Sequence, residues 1–335
     1  MPATLKDLAA LVGVSVNTVS RALKDKPDIG LQTRQRIKEA AVALGYRPNL
    51  NARSLVLKKS SIIGVAITES DNPVRMEFCE KLRKIADQEG YRLLIAGISV
   101  DKNEKDMETI EDLLGRGVDG LIIGYLSGLL AEQPIGRILR ECSKNKIPVT
   151  VFGDAETGLA DSVYIDFFES GYRLTSYLLE RKKTPIAFLG ERQESPRRQG
   201  YFKAMEDHGK KEDAFCLEIE GHRLGSGRDA MEKYLKKFNQ PPQAIIAPND
   251  LVAIGIISTL KAHGWKVPRD TSVAGFDNIE IGAYYDPPLT SIGFDNGSFA
   301  ESVWQLIGSR LKSKEQEKAK CLKLHQELIV RGSCS

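Results

Sequence analysis

Cysteine is scarce in this chain and poorly spaced for chemistry. Five occur in 335 residues, as Cys79, Cys142, Cys216, Cys321 and Cys334, and no two form a C-x-x-C pair. That scatter argues against a disulfide framework and against a zinc site. Histidine is equally thin: His208, His222, His263 and His325 show no ligand-like spacing. Long apolar stretches are missing too. No run approaches 18 uncharged apolar residues, which excludes a helical membrane span, and no signal-like apolar run stands near residue 1, so a cytoplasmic location away from membranes is expected. Catalytic signatures are absent: there is no G-x-S-x-G, phosphate-binding loop or metal-ligand cluster, and Gly225-Ser226-Gly227 is a weak glycine pair following no convincing strand. The expectation is a protein with no catalytic residue, no metal and no cofactor.

Negative charge is short in one place only. Residues 1–60 hold four Asp/Glu against eleven Lys/Arg, whereas the remainder sums to −4 in a chain of net charge +3. A basic module joined to a near-neutral body suits phosphate binding at one end. The 41% apolar content over this length supports two or three domains with cores of their own.

The basic end has a clear pattern. In TLKDLAALVGVSVNTVSRAL, residues 4–23, Leu5, Leu8, Ala9 and Val12 recur at helical spacing, break at Gly13, and resume at Val14, Val19 and Leu23. Two short helices across a tight turn are predicted, with Thr4 and Ser15 as caps and Gly13 in the turn. The second helix then exposes Val16, Asn17, Thr18, Ser20 and Arg21, a set of amide, hydroxyl, methyl and guanidinium groups suited to a DNA groove. An ordinary helical hairpin with a polar surface has the same periodicity. Residues 31–44 predict a third helix with Ile37, Ala41 and Leu44 inward, closed by Gly45. Gly30 stands at its start without a capping side chain.

TLKDLA (4–9), GVS (13–15), TVSR (18–21), TR (33–34) and GYRPN (45–49) together make the segment similar to the DNA-binding headpiece of the lactose-repressor (LacI) family of bacterial transcription regulators. The resemblance implies base contacts from Val16, Asn17 and Arg21 and phosphate contacts from Thr4, Ser15 and Thr18. It marks residues 48–60 as a hinge in which Asn49, Ala52 and Leu55 approach DNA, Leu55 wedging between base pairs of the minor groove. By composition alone, PNLNARSLVLKK also reads as a plain linker, since two helical turns are unstable by themselves in water.

From residue 61 strand and helix alternate. Strands are predicted at 62–67, 92–96, 120–123 and 149–152, then at 162–165, 186–189, 216–219, 244–246 and 272–276. Helices are predicted around 75–89, 104–116, 134–145, 169–182, 196–208, 226–238 and 250–263. Such rotation predicts two parallel sheets covered on both faces. Two lobes in tandem resemble the fold the family shares with periplasmic binding proteins. The resemblance implies an N-terminal lobe of 61–160 and about 291–320, and a C-terminal lobe of 161–290 and about 321–335, with a ligand between them.

IAPNDLVAIG (246–255), SVAGFDN (272–278) and DPPLTSI (286–292) match family signatures, and place Arg197, Asn249 and Asp277 at its effector contacts. A structural ion pair between Arg197 and Asp277 is the alternative. His222, Tyr125 and Phe294 are weaker pocket candidates. Where many members carry an aromatic after Asn72-Pro73, this chain has Val74-Arg75, and the fourth strand is followed by Gly153-Asp154. An Arg75 facing the cleft favours an acidic sugar; an Arg75 in solvent is the other reading.

The implied protein is a homodimeric, sequence-specific regulator, a repressor on a near-palindromic operator in double-stranded DNA, allosterically controlled by a sugar or sugar derivative. Two alternatives remain: a control protein of the same fold that answers to a protein partner, and a solute-binding protein.

Overall fold

The computed structural model describes residues 3–47, 59–68, 72–99, 104–130, 133–190, 195–313 and 318–334. Two compact units divide the chain, 1–60 and 61–335. Asn49, Ala52 and Leu55 lie outside the described residues.

Among the described residues, the first unit holds three helices, α1 (Leu5–Val12), α2 (Val16–Ala22) and α3 (Leu31–Ala43). Thr4 opens α1 with a reciprocal cap: its hydroxyl accepts from the Asp7 amide, and the Asp7 carboxylate accepts from the Thr4 amide at 2.8 Å. Gly13, at φ +75°, ends it in the left-handed region where a side chain is disfavoured. Ser15 then caps α2 by accepting from the Thr18 amide at 3.1 Å. Leu8, Ala9, Val12, Val19, Ala22, Ile37 and Ala41 form the shared core. Leu44 does not join them. It is 41% exposed, because the chain turns out of α3 at Gly45 and Tyr46 packs inward instead. Gly30 precedes α3 with no side-chain cap, but Arg34 reaches back from the first turn to donate to the Lys26 and Ile29 carbonyls, at 2.8 and 3.0 Å.

The second unit holds two six-stranded sheets. The first contains β1 (Ile62–Thr68), β2 (Arg92–Ile98), β3 (Gly120–Leu129), β4 (Val149–Glu156), β5 (Asp161–Ile165) and β11 (Cys321–Leu324), in the order β11-β5-β4-β3-β1-β2 and all parallel. The second contains β6 (Ile186–Leu189), β7 (Ala214–Leu217), β8 (Ala244–Ile246), β9 (Ser272–Phe276), β10 (Thr290–Gly293) and β12 (Glu327–Ile329), in the order β12-β10-β9-β8-β6-β7. Its β12 runs antiparallel to β10, a departure from the all-parallel sheet the alternation implies.

Helices cover both faces. On the first sheet, α4 (Pro73–Gln88) and α12 (Asn296–Lys312) bury Phe78, Leu82, Phe299, Val303 and Ile307 on one side. On the other, α5 (Glu104–Gly115) and α6 (Ile135–Lys144) bury Met107, Ile110, Ile138 and Leu139. The second sheet lies between α7 (Phe167–Glu180) with α8 (Pro196–Asp207), and α9 (Leu224–Phe238) with α10 (Asp250–Ala262); a short α11 (Glu280–Tyr284) follows β9. Asn72, Asp166, Asn249 and Asp295 each cap the helix they precede.

Three boundaries move from where the strand pattern and the resemblance put them, and one is at residues 321–324, which pair with β5 in the first sheet rather than joining the C-terminal lobe. Residues 162–165 belong to the first sheet: Thr150 pairs with Asp161 and Val151 with Ser162, so the fifth strand continues the first series. Residues 290–293 belong to the second sheet, pairing with β9, and α12 then packs on the first. Strand count and periodicity carry no information about which sheet a strand joins. The chain passes between the sheets three times: after β5, after β10 and after β11.

A bidentate ion pair secures the second passage. Arg310 of α12 donates from Nε and Nη2 to the two Asp161 oxygens, both at 2.7 Å, and the Lys320 amide donates to Asp161 Oδ1 at 2.8 Å. Asp161 is 2% and Arg310 14% exposed.

Candidate DNA-reading surface and interlobe site

On α2 the buried residues Val19 and Ala22 leave the opposite face to solvent. Val16, Asn17 and Arg21 are exposed there, with Asn17 and Arg21 one turn apart. Ser20 is half-buried. Thr18 lies between the two faces, and its hydroxyl is 2.9 Å from that of Ser15. Thr4 is exposed, its hydroxyl engaged with Asp7. Arg21 does not simply extend into water: Nε donates to Asp28 Oδ2 at 2.8 Å, and Nη2 is 2.7 Å from the same oxygen. Sequence reasoning missed Asp28, because nothing in the spacing of residues 21 and 28 shows that the turn folds back.

In the second unit, polar residues gather where parallel strands of the two lobes end. Asn72 follows β1 by a short connection and caps α4, its Oδ1 accepting from the Val74 amide at 3.1 Å. Its Nδ2 donates to Asp277 Oδ2 at 3.1 Å, a hydrogen bond from the first lobe to the second. Asp277 lies just past β9 with φ +101°, a left-handed conformation that strains a residue with a side chain. Its amide donates to the Ile292 carbonyl at 2.8 Å, and the backbone there presses on Gly293, where an added Cβ would sit 2.5 Å from Asn278 Cβ.

Arg197, in the first turn of α8, donates to the Pro248 carbonyl at 2.9 Å and lies 3.6 Å from Asp277 Oδ1. Its guanidinium sits over the rings of Phe167 and Phe276, at 4.7 and 4.3 Å from their centres. The structure therefore brings Arg197 and Asp277 together and adds Asn72.

Asn249 has a more local task. Its Oδ1 accepts from the Val252 amide at 2.9 Å and its Nδ2 donates to the His222 carbonyl at 3.0 Å, so it caps α10 and fixes the loop that carries His222. Phe294 packs on Phe299, ring centres 4.6 Å apart, in the first-lobe core. Tyr125 falls in β3 beside a register shift, and its side chain is outside the described set. Arg75 is half-buried in the first turn of α4. Val74, the residue replacing the aromatic of many members, is 2% exposed and packs among second-lobe residues that include Leu189 and Ile279. A small aliphatic side chain there lets the lobes meet directly.

Asp250, beside this group, was also missed. It is fully enclosed: Oδ2 accepts from the Ile279 amide at 2.9 Å and Oδ1 from the Ser291 hydroxyl at 2.7 Å. Burial first, and the Asp277 charge second, hold its pKa well above the usual carboxylate range, against the lowering effect of Ser291, the Ile279 amide and Arg331. A raised folded value means that the native state holds this proton more tightly than the unfolded chain. Its contribution is full below the ordinary aspartate range and is lost as pH rises through the folded value. Asp250→Asn, neutral at every pH, keeps an acceptor for the Ile279 amide and turns a donor toward the Ser291 hydroxyl. Urea unfolding across pH 4–9 should show the variant gaining on the parent as pH rises; a constant difference across that range would contradict the assignment.

A three-helix reading head on a core of two doubly wound lobes, with polar side chains meeting between the lobes, defines the class of helix-turn-helix proteins built on a periplasmic-binding-protein-like body. Comparison with known proteins agrees. Residues 4–49 match the family described as bacterial regulatory proteins, lacI family, and residues 175–334 match a periplasmic binding protein-like domain. The HTH-type transcriptional repressor PurR of Vibrio campbellii is 30% identical over 335 residues, covering 99% of this chain and 98% of that protein. Catabolite control protein A of Priestia megaterium is 30% identical over 299 residues, 87% of each chain. The lac repressor dimer bound to operator and the anti-inducer ONPF superposes with a TM-score of 0.80 at 25% identity, covering 100% of this chain and 99% of that one. The chain belongs to the LacI family of bacterial regulatory proteins, and of the matched proteins PurR is named an HTH-type transcriptional repressor and the solved neighbour a lac repressor.

Proposed function

We propose that the protein is a homodimeric repressor of a near-palindromic operator, and that a small polyhydroxylated effector between the lobes sets its affinity for DNA. The observation that carries this reading is the meeting of Asn72, Arg197 and Asp277 across the two lobes. An amide, a guanidinium and a carboxylate at one point suit adjacent hydroxyl groups of a sugar, each side chain exchanging a protein partner for a ligand oxygen. An effector that prefers one arrangement of the lobes shifts the population toward it, and DNA binding follows. On DNA, Val16, Asn17 and Arg21 face base edges, while the capped starts of α1 and α2, at Thr4 and Ser15 with Thr18, meet phosphates. A two-fold dimer reads two half-sites. Asn49, Ala52 and Leu55 complete the DNA contacts. His222, on the loop that Asn249 fixes, is the further candidate for the effector site, whereas Asn249 and Phe294 are engaged within their own lobes.

An Arg75 facing the cleft would add a second guanidinium to that of Arg197 and favour an acidic effector, a sugar acid or sugar phosphate. Selection of bound duplexes from random DNA, repeated with neutral and acidic sugars, tests both levels. One near-palindrome should be enriched, and one acidic sugar should change its affinity at least about tenfold, a coupling ordinary for such systems. Asp277→Asn should keep the DNA preference and lose the response. Absence of any preferred duplex ends the repressor reading; tight binding of a neutral sugar, unchanged in Arg75→Ala, ends the acidic-effector reading alone.

A further inference from the structure

The contact between Arg21 and Asp28 assigns a role to a residue outside the reading helix. A guanidinium has five N–H donors in a planar fork. Asp28 takes its inner edge, Nε donating at 2.8 Å and Nη2 lying 2.7 Å from the same oxygen. The outer edge, with the Nη1 hydrogens and the second Nη2 hydrogen, is the edge that matches two adjacent acceptors. In the major groove O6 and N7 of guanine present such a pair.

Most exposed ion pairs are too mobile to direct anything. This one is anchored at both ends. Arg21 lies in the last turn of α2, and its carbonyl accepts from the Lys26 amide at 3.1 Å. The turn bearing Asp28 is tied to α3 on either side: Arg34 donates to the Lys26 and Ile29 carbonyls, and Lys38 reaches Asp25 at 2.6 Å. Ile29, next to Asp28, packs against the headpiece core. The carboxylate is therefore a fixed post against which a long, flexible side chain is set before DNA arrives. Its negative charge also acts on any complex in which Arg21 swings toward a phosphate, since that movement leaves Asp28 facing the backbone unpaired.

We propose that Asp28 is a specificity-determining positioning residue, which holds Arg21 by its inner edge so that the outer edge reads a guanine in each half-site. The proposal rests on the repressor reading above and concerns discrimination between duplexes more than total affinity.

The test uses the full chain and the duplex that it enriches from a random pool. Replacing the enriched guanine by 7-deazaguanine removes the N7 acceptor and should weaken the parent about tenfold, within the range of a bidentate base contact. In Asp28→Asn that penalty should fall to about twofold or threefold while binding to an unrelated duplex tightens. Asp28→Glu, which keeps the charge, should restore part of the penalty. Arg21→Ala and the double variant Arg21→Ala/Asp28→Asn should discriminate equally poorly, because Asp28 acts only through Arg21. Retention of the full 7-deazaguanine penalty in Asp28→Asn, or an enriched site with no guanine sensitive to Arg21→Ala, overturns the proposal and leaves the repressor reading standing. Enrichment of no duplex by the parent overturns both.

Discussion

Asp161→Ala lowers the unfolding free energy of the core by about 3–5 kcal/mol, the cost of leaving one partner of a buried ion pair without the other. Asp161 is nearly inaccessible, and each of its oxygens accepts from Arg310, so the variant strands a guanidinium against the edge of β5. It also removes the acceptor of the Lys320 amide, in the segment that enters β11. Chemical denaturation followed by far-ultraviolet dichroism measures the loss. A double variant, Asp161→Leu with Arg310→Met, should recover most of it, because two apolar side chains replace two desolvated charges. About 1–3 kcal/mol should remain for the unsatisfied amide. Equal losses in the single and double variants would show that the pair contributes little and that the shape of the site alone matters.

Gly200→Val is expected to cost about 3 kcal/mol and to abolish any effector response. A Cβ at Gly200 would lie 2.1 Å from the Phe168 carbonyl, and one at Gly171 the same distance from the Arg197 carbonyl. α7 and α8 thus touch backbone to backbone, and any side chain at either glycine must drive them apart. Arg197 is part of that contact, in the turn that would move. Its stacking between Phe167 and Phe276 and its approach to Asp277 depend on α8 staying where it is. Gly158→Ala, where nothing lies within 4 Å of the added atom, is the control and should leave both stability and response near the parent values. If Gly200→Val melts with the parent and still answers the effector, close helix packing does not set the position of Arg197.

Much of this was legible in the sequence. Thr4, Gly13 and Ser15 mark helix boundaries by local chemistry, and the structure places each at its cap or turn. The alternation of apolar strands with amphipathic helices locates β6, β8 and β9 to the residue, since each is buried on both faces and bounded by polar turns. What was not legible depends on distance along the chain. Nothing local assigns β5 to the first sheet or β10 to the second; hydrogen bonds to β4 and β9 decide it. Of the interlobe residues, Arg197 and Asp277 stood out through resemblance, whereas Asn72 entered only as the neighbour of Pro73 and reveals its bond to Asp277 only when the lobes are in place. Asn249 shows the converse: a residue chosen as a ligand contact has both side-chain atoms engaged with the backbone of its own lobe. Asp28 and Asp250 belong to the same category, carboxylates whose partners arrive by folding rather than by spacing.

The late strands β11 and β12 bear on the order of events during synthesis. Each sheet waits for a border strand encoded after residue 320, and β5, made near the midpoint, has its outer neighbour only once β11 has emerged. Ser333 then ties the tail to Val273 and Thr290, deep in the second lobe. A nascent chain leaving the ribosome therefore carries two incomplete half-bodies, each with an open border, until the residues of β11 and β12 have emerged. Contacts of such long range slow folding and leave the growing polypeptide dependent on protection from its neighbours.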